Sequence, residues 1–327
     1  MKRRKLIFFY LLVLFLSILS REVHAQQTAQ IFTRQTDFLL SLPEDCQVDT
    51  AKKWPLLFFL HGIGECGTDI QKVKVNGPPK LVAAGKHFPF IIVSPQAQDP
   101  DIGWEPEDLN RLLVYVKQTY RVDDTRIYLT GLSMGGFGTW ALAIKHPEEF
   151  AAMIPICGGG DSAEAWRLRH IPIWCFHGAL DNVVPVARDE QMITAAKRYN
   201  PWVTFTVYPD AYHNSWERTY NNDSVYDWLL RQTKFTYKEV KVGRQVLNNY
   251  AGTFVGSQGD TIILSVDEKG LQAKTPNGSF SLKPSADNLF FIDEHLPVDI
   301  TFIPNTKGRC NSFIVFEQAK NVYKRIK

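Results

Sequence analysis

The chain has 327 residues, 45% hydrophobic and 22% charged, which allows one large domain or two domains of ordinary globular composition. With 37 Lys and Arg against 34 Asp and Glu, the net charge of +3 gives no support to nucleic acid as a partner. The lysines at 72, 74, 80 and 86 read as a solvated face rather than a track for a polyanion.

The first 25 residues differ from the rest. Lys2-Arg3-Arg4-Lys5 is a basic start, Leu6 to Leu19 is an almost unbroken apolar run, and Val23-His24-Ala25 ends in a small residue. This is the pattern of a secretory signal cleaved after Ala25, leaving no stable membrane span. An uncleaved anchor is the alternative, against which the apolar run is short. Export permits disulfides. The cysteines at 46, 66, 157, 175 and 310 are odd in number and irregularly spaced, which is no disulfide framework. Cys157 and Cys175 fall in apolar runs and read as buried hydrophobes. Neither C-x-x-C nor H-E-x-x-H occurs, so no metal is expected.

From residue 35 to about 232, short β-branched runs alternate with longer amphipathic ones. Strands are expected at 35–42, 55–60, 89–94, 126–130, 151–156, 171–177 and 202–208. Helices are expected at 78–84, 106–119, 134–146, 185–198 and 223–231. This alternation predicts βαβ units and a mainly parallel sheet covered on both faces. Beyond about 235 the texture changes to short alternating runs. Turn signals fall at 256–259, 267–270, 276–278, 286–288 and 305–308. Turns at such regular intervals predict a small all-β barrel or sandwich.

The first glycine-rich loop, Gly62-Ile63-Gly64-Glu65-Cys66-Gly67, follows an apolar strand and fits G-x-G-x-x-G. A dinucleotide site would need an acid about 20 residues further on to hold the ribose. Between Asp69 and Asp99 there is no Asp or Glu. The dinucleotide reading fails, and no cofactor is expected.

A second loop, Gly131-Leu132-Ser133-Met134-Gly135, lies between an expected strand and an expected helix. This is the G-x-S-x-G elbow, whose sharp turn exposes a serine hydroxyl while the glycines make room for it. A serine needs a base and a group that orients the base, in the chain order Ser, acid, His. Only His213 and His295 follow the serine and a plausible acid; His213, in a loop just beyond a strand, is preferred over His295 in the β-rich tail. Asp181, in the loop after strand 171–177, is preferred as the acid over Asp210, which shares the loop of His213. Met134 N–H is the expected first donor to the oxyanion. Ile63, or second Gly64, is expected to supply the other from the earlier glycine loop.

These residues, with His61-Gly62, Gly131 to Gly136 and His177-Gly178-x-x-Asp181, resemble the α/β-hydrolase superfamily. The likeness is strongest to secreted feruloyl and acetylxylan esterases, polyhydroxybutyrate depolymerases and the catalytic domain of prolyl oligopeptidases. The tail more weakly resembles small all-β domains appended to serine hydrolases. The resemblance implies a catalytic domain over 26–235 and an all-β domain over 240–327. It implies a serine hydrolase of carboxylic esters, acting through an acyl-enzyme on small-molecule or polysaccharide esters such as acylated carbohydrates and phenolic esters. Trp104 and Trp216 are candidate aromatic walls for the substrate. A serine peptidase with the same machinery is the alternative; a non-catalytic glycan- or partner-binding protein is disfavoured by the complete triad. The sequence assigns no oligomeric state.

Overall fold

A computed structural model of the chain describes residues 36–48, 51–293, 298–306 and 308–326. The expected signal segment and His295 lie outside them. Thr36–Lys327 form one compact unit.

The expected strands are present as β1 (Phe38–Ser41), β2 (Trp54–Leu60), β3 (Ile91–Pro95), β4 (Val122–Leu132), β5 (Ala152–Ile156), β6 (Ile173–Gly178) and β7 (Val203–Tyr208). They form one seven-stranded sheet in the order β1-β3-β2-β4-β5-β6-β7. Only β1 runs antiparallel to its neighbour. Successive side chains of a strand point to opposite faces. Leu56, Phe58 and Leu60 therefore join one core with Leu109, Leu113 and Trp140, while Leu57 and Phe59 join another with Tyr220, Val225 and Leu229. Every residue of β2 is buried. That is why its run is apolar throughout instead of alternating.

The covering helices are α1 (Gly77–Ala83), α2 (Pro106–Thr119), α3 (Met134–Lys145), α4 (Ala187–Ala196), α5 (Ser215–Tyr220) and α6 (Asp223–Leu230). Sequence periodicity does not reveal α5, whose six residues are too few to show a helical repeat. β4 extends beyond the expected 126–130 and reaches Leu132, immediately before the serine.

The tail is a closed barrel of eight antiparallel strands. Its strands are β8 (Gly252–Gly256), β9 (Thr261–Asp267), β10 (Gly270–Thr275), β11 (Gly278–Pro284), β12 (Leu289–Phe291), β13 (Asp299–Pro304), β14 (Cys310–Phe316) and β15 (Lys320–Arg325). The expected turns join consecutive strands, and pairing of Phe254 with Arg325 closes the ring. A short helix, α7 (Arg244–Tyr250), precedes the first barrel strand in a region expected to be all-β. It buries Leu247 and Tyr250 in the barrel core, where the Tyr250 ring stacks on Phe302 with centroids 4.1 Å apart.

Candidate active site

Six loops meet at the carboxyl ends of the parallel strands, where sheets of this kind bind ligands. The strand order reverses between β2 and β4, and their loops carry Ile63 and Ser133. A Cβ placed on Gly62 would lie 3.6 Å from Ser133 Cβ, so the first glycine loop is packed against the serine.

Ser133 has φ 53 and ψ −119, a conformation that non-glycine residues rarely adopt. Its N–H is held by Ile156 O at 3.0 Å, and Phe137 N–H bonds its carbonyl at 3.0 Å, so both sides of the turn are pinned. The flanking glycines are required by space. A Cβ on Gly135 would meet Leu60 O at 2.0 Å, and one on Gly131 would meet Gly135 O at 2.3 Å.

The sequence-expected residues come together. Ser133 Oγ lies 2.9 Å from His213 Nε2, and His213 Nδ1 lies 2.8 Å from Asp181 Oδ2. Asp181 Oδ1 accepts the N–H groups of Val183 and Val184, both at 2.9 Å. Burial alone would raise the Asp181 carboxyl. The hydrogen bonds from His213, Val184 and Val183 outweigh it and hold the group below its ordinary value. The rival acid Asp210 instead pairs with Arg218 through two contacts of 2.9 Å at the surface.

Residues 105–238, which span the serine, the acid and the histidine, match the dienelactone hydrolase family. A solved structure of a thermostable esterase is 33% identical, with a TM-score of 0.53, covering 61% of this chain and 59% of that one. The sheet domain has the α/β-hydrolase fold. Among its curated relatives is a bifunctional acetylxylan esterase/xylanase of Neocallimastix patriciarum, 24% identical over 53% of this chain and 26% of the relative. Another is poly(3-hydroxyalkanoate) depolymerase C of Paucimonas lemoignei, 31% identical over 32% of this chain and 28% of the relative. The chain thus spans little more than a quarter of the length of either curated relative.

Met134 opens α3 and Ile63 opens a single 3-10 turn, Ile63–Glu65. The first N–H of a helical segment has no acceptor within it, so both are free to face an anion. Ile63 carries an exposed side chain, and a Cβ on Gly64 would meet open space. Beneath this loop His61 is fully buried. Its Nε2 accepts Ala97 N–H at 3.0 Å, so Nδ1 carries the proton and donates to Gly62 O at 2.6 Å. Burial pushes its imidazole down to about 4, against a smaller upward pull from the Gly62 carbonyl, so it is neutral at pH 7. Glu65 turns inward and accepts from Asn76 Nδ2. Burial raises its carboxyl more than these hydrogen bonds lower it.

Trp216 stands edge-on to His213, with centroids 5.1 Å apart, and its indole N–H reaches Asn76 Oδ1 at 3.2 Å. Trp104 donates to His61 O at 3.1 Å and is half-buried. All five cysteines are free and buried, Cys66 among them. Cys157, Asp181 and His213 bring one ligand atom each to within 4.8 Å of one another, the one such metal-binding grouping among the described residues. Asp181 and His213 are already bonded to each other, and burial pushes the Cys157 thiol upward, so the set is poorly suited to a metal.

Sequence reasoning gave no role to two side chains behind Asp181, the first of them named only within the His177-Gly178-x-x-Asp181 motif. His177, at the end of β6, and Asp189, in the first turn of α4, are both fully buried. Asp189 could have been found, because it shares the helix face of Met192, Ile193 and Ala196, all buried. An acid on an apolar stripe is a legible anomaly.

Proposed function

We propose that this chain hydrolyses carboxylic esters through an acyl-enzyme on Ser133. The observation that carries the reading is the Ser133–His213–Asp181 alignment, at 2.9 and 2.8 Å, on a strained elbow at the strand ends. His213 Nε2 takes the hydroxyl proton as Oγ attacks the carbonyl carbon, while Asp181 holds the imidazole by Nδ1 and stabilises the imidazolium. The tetrahedral oxygen anion is received by the N–H groups of Met134 and Ile63, with Gly64 the second choice for the latter. Each such donor contributes roughly 3 kcal/mol to the transition state. Collapse expels the alcohol, which takes the proton from His213; water, deprotonated by the same imidazole, then releases the acid.

Acylated carbohydrates and phenolic esters are the proposed substrates. The loops that carry the site expose Ile63, Ile102, Leu180, Val183 and Tyr212, side chains suited to an apolar or aromatic acyl group. Trp216 and Trp104 supply aromatic surface on either side of His213 and the oxyanion loop. The activities named for the acetylxylan esterase and the depolymerase agree with an ester substrate. The basic start, apolar run and Ala25 support export from the cytoplasm with cleavage after Ala25. Among the described residues no helix is long and apolar enough to cross a membrane.

A panel of acetyl, feruloyl and longer acyl esters beside dipeptide amides tests the substrate class. Turnover of acetyl or feruloyl esters is expected. Turnover of the amides alone would replace this reading with a peptidase.

A further inference from the structure

Resting on the reading of Ser133, His213 and Asp181 as the triad, we infer that His177 is a permanently protonated positioning residue, the cation in a buried file Asp189–His177–Asp181–His213–Ser133. His177 Nδ1 lies 2.8 Å from Asp189 Oδ2. Its Nε2 lies 2.9 Å from Val184 O and 3.2 Å from Asp181 Oδ2. Both ring nitrogens therefore face only acceptors. A neutral imidazole has one N–H, so one nitrogen lone pair would point at an oxygen lone pair inside the protein.

Every oxygen of both carboxylates already meets a donor, which favours placing the proton on His177. Asp189 Oδ1 already accepts Trp140 Nε1–H at 2.8 Å, and its Oδ2 accepts Gly158 N–H at 3.0 Å. Both oxygens of Asp181 likewise receive donors, two backbone N–H groups on one and His213 on the other. Burial alone would lower the His177 imidazole, but the bond to Asp189, the Val184 carbonyl and the two carboxylate charges outweigh it and raise it.

This cation explains how two carboxylates can be fully buried so close together. The side chains of His177, Asp181 and Asp189 have no solvent exposure, and unpaired charges there would be very costly. The file carries one net negative charge at rest and none once His213 accepts the serine proton. Asp181 Oδ2 is shared by two imidazoles while Oδ1 is pinned by two N–H groups, so the carboxylate cannot rotate away from His213. His177 also balances part of the charge that Asp181 presents to His213.

The other groups around the file leave this balance intact. The Cys157 and Cys175 thiols are pushed up by burial. His61 is neutral and Glu65 is raised. Asp210 is paired with Arg218, and the Arg188 guanidinium lies 5.9 Å over the Phe137 ring.

Nitrogen-15 NMR of histidine-labelled protein, in the wild type and in Ser133→Ala, reads the charge directly. Both His177 nitrogens are expected at imidazolium shifts from about pH 5.5 to about pH 9, either side of the free-histidine value. A neutral His177 tautomer within that range would overturn the inference, and this arm needs neither turnover nor a substitution at 177. The second arm is His177→Gln, with Ser133 titrated by a fluorophosphonate. Loss of the cation should favour protonated His213 and move the acid limb of the kcat/KM profile upward by about 1 pH unit. A fall in kcat/KM with the limb in place or moved down would reduce His177 to a packing role and overturn the positioning claim. If wild-type Ser133 is neither labelled nor turns over esters, the triad reading fails while the NMR arm still decides the charge on His177.

Discussion

The sheet end and the barrel bury opposite kinds of side chain. At the carboxyl ends of β2, β4, β6 and β7 the buried groups include His61, Glu65, His177 and Asp189, with Asp181 beside them. In the barrel they are Phe254, Phe290, Phe302 and Phe313, packed on Tyr250. Buried charges are costly and need partners, whereas buried rings stabilise through apolar area and ring-on-ring packing, with no counter-charge needed. The contrast teaches where each half spends its packing: the sheet end holds groups in a geometry, and the barrel holds itself together. One residue crosses this division. Asp299, at the start of β13, is fully buried and accepts from Arg169 Nε at 3.0 Å, His170 Nε2 at 2.5 Å and Tyr237 O–H at 2.8 Å. It is the buried charge among the contacts that join the barrel to the sheet domain, beside the Lys320–Tyr199 and Arg167–Gln318 hydrogen bonds.

The contrast can be broken by substitutions that separate rate from stability. Asp181→Asn, which favours the wrong His213 tautomer, should cost about 10⁴-fold in kcat; initial rates on the best ester of the panel would show it. Phe302→Ala should cost about 4 kcal/mol in the urea unfolding of the barrel. Well below the transition its kcat/KM should match wild type, and a matching fall in kcat/KM would mean that the halves are not energetically separate.

Asp299→Asn leaves Arg169 buried without its counter-charge. It should cost about 4 kcal/mol, seen as a lower unfolding midpoint, with native-state kcat unchanged. The smallest effect concerns pH. His61 has a folded value of about 4 against 6.5, so as pH falls the unfolded chain takes up a proton first. Stability should decline from about pH 6.5 and level off below about pH 4, by about 3 kcal/mol in all. Urea midpoints across that range should show the slope, and His61→Gln should flatten it.

Much of this division was legible in the sequence, because it rests on local pattern. Runs such as Pro55 to Leu60 are apolar throughout since both faces of β2 are covered. The barrel strands announce themselves by their turns, since each strand is short and ends in residues that accept a bend. Ring closure was not legible. It depends on Phe254 meeting Arg325, partners some seventy residues apart with no shared signature, and a sandwich would use the same strands and turns. The elbow was legible because strain at Ser133 demands particular neighbours, Gly131 and Gly135, within four positions. The charge behind it was not, because His177 and Asp189 matter only through a meeting of β6, α4 and the Asp181 loop. The glycine loop that mimics a dinucleotide fingerprint shows the same limit. Its glycines fit either reading, and only the three-dimensional neighbour, Ser133, 3.6 Å from a Cβ placed on Gly62, separates them.

The central claim, that Ser133 is a nucleophile driven by His213, is tested most directly by a fluorophosphonate followed by mass spectrometry of the labelled peptide. One adduct per chain on Ser133, absent in Ser133→Ala and formed far more slowly in His213→Ala, is the expected result. An unlabelled wild-type chain, or equal labelling when Ser133 is alanine, would contradict it.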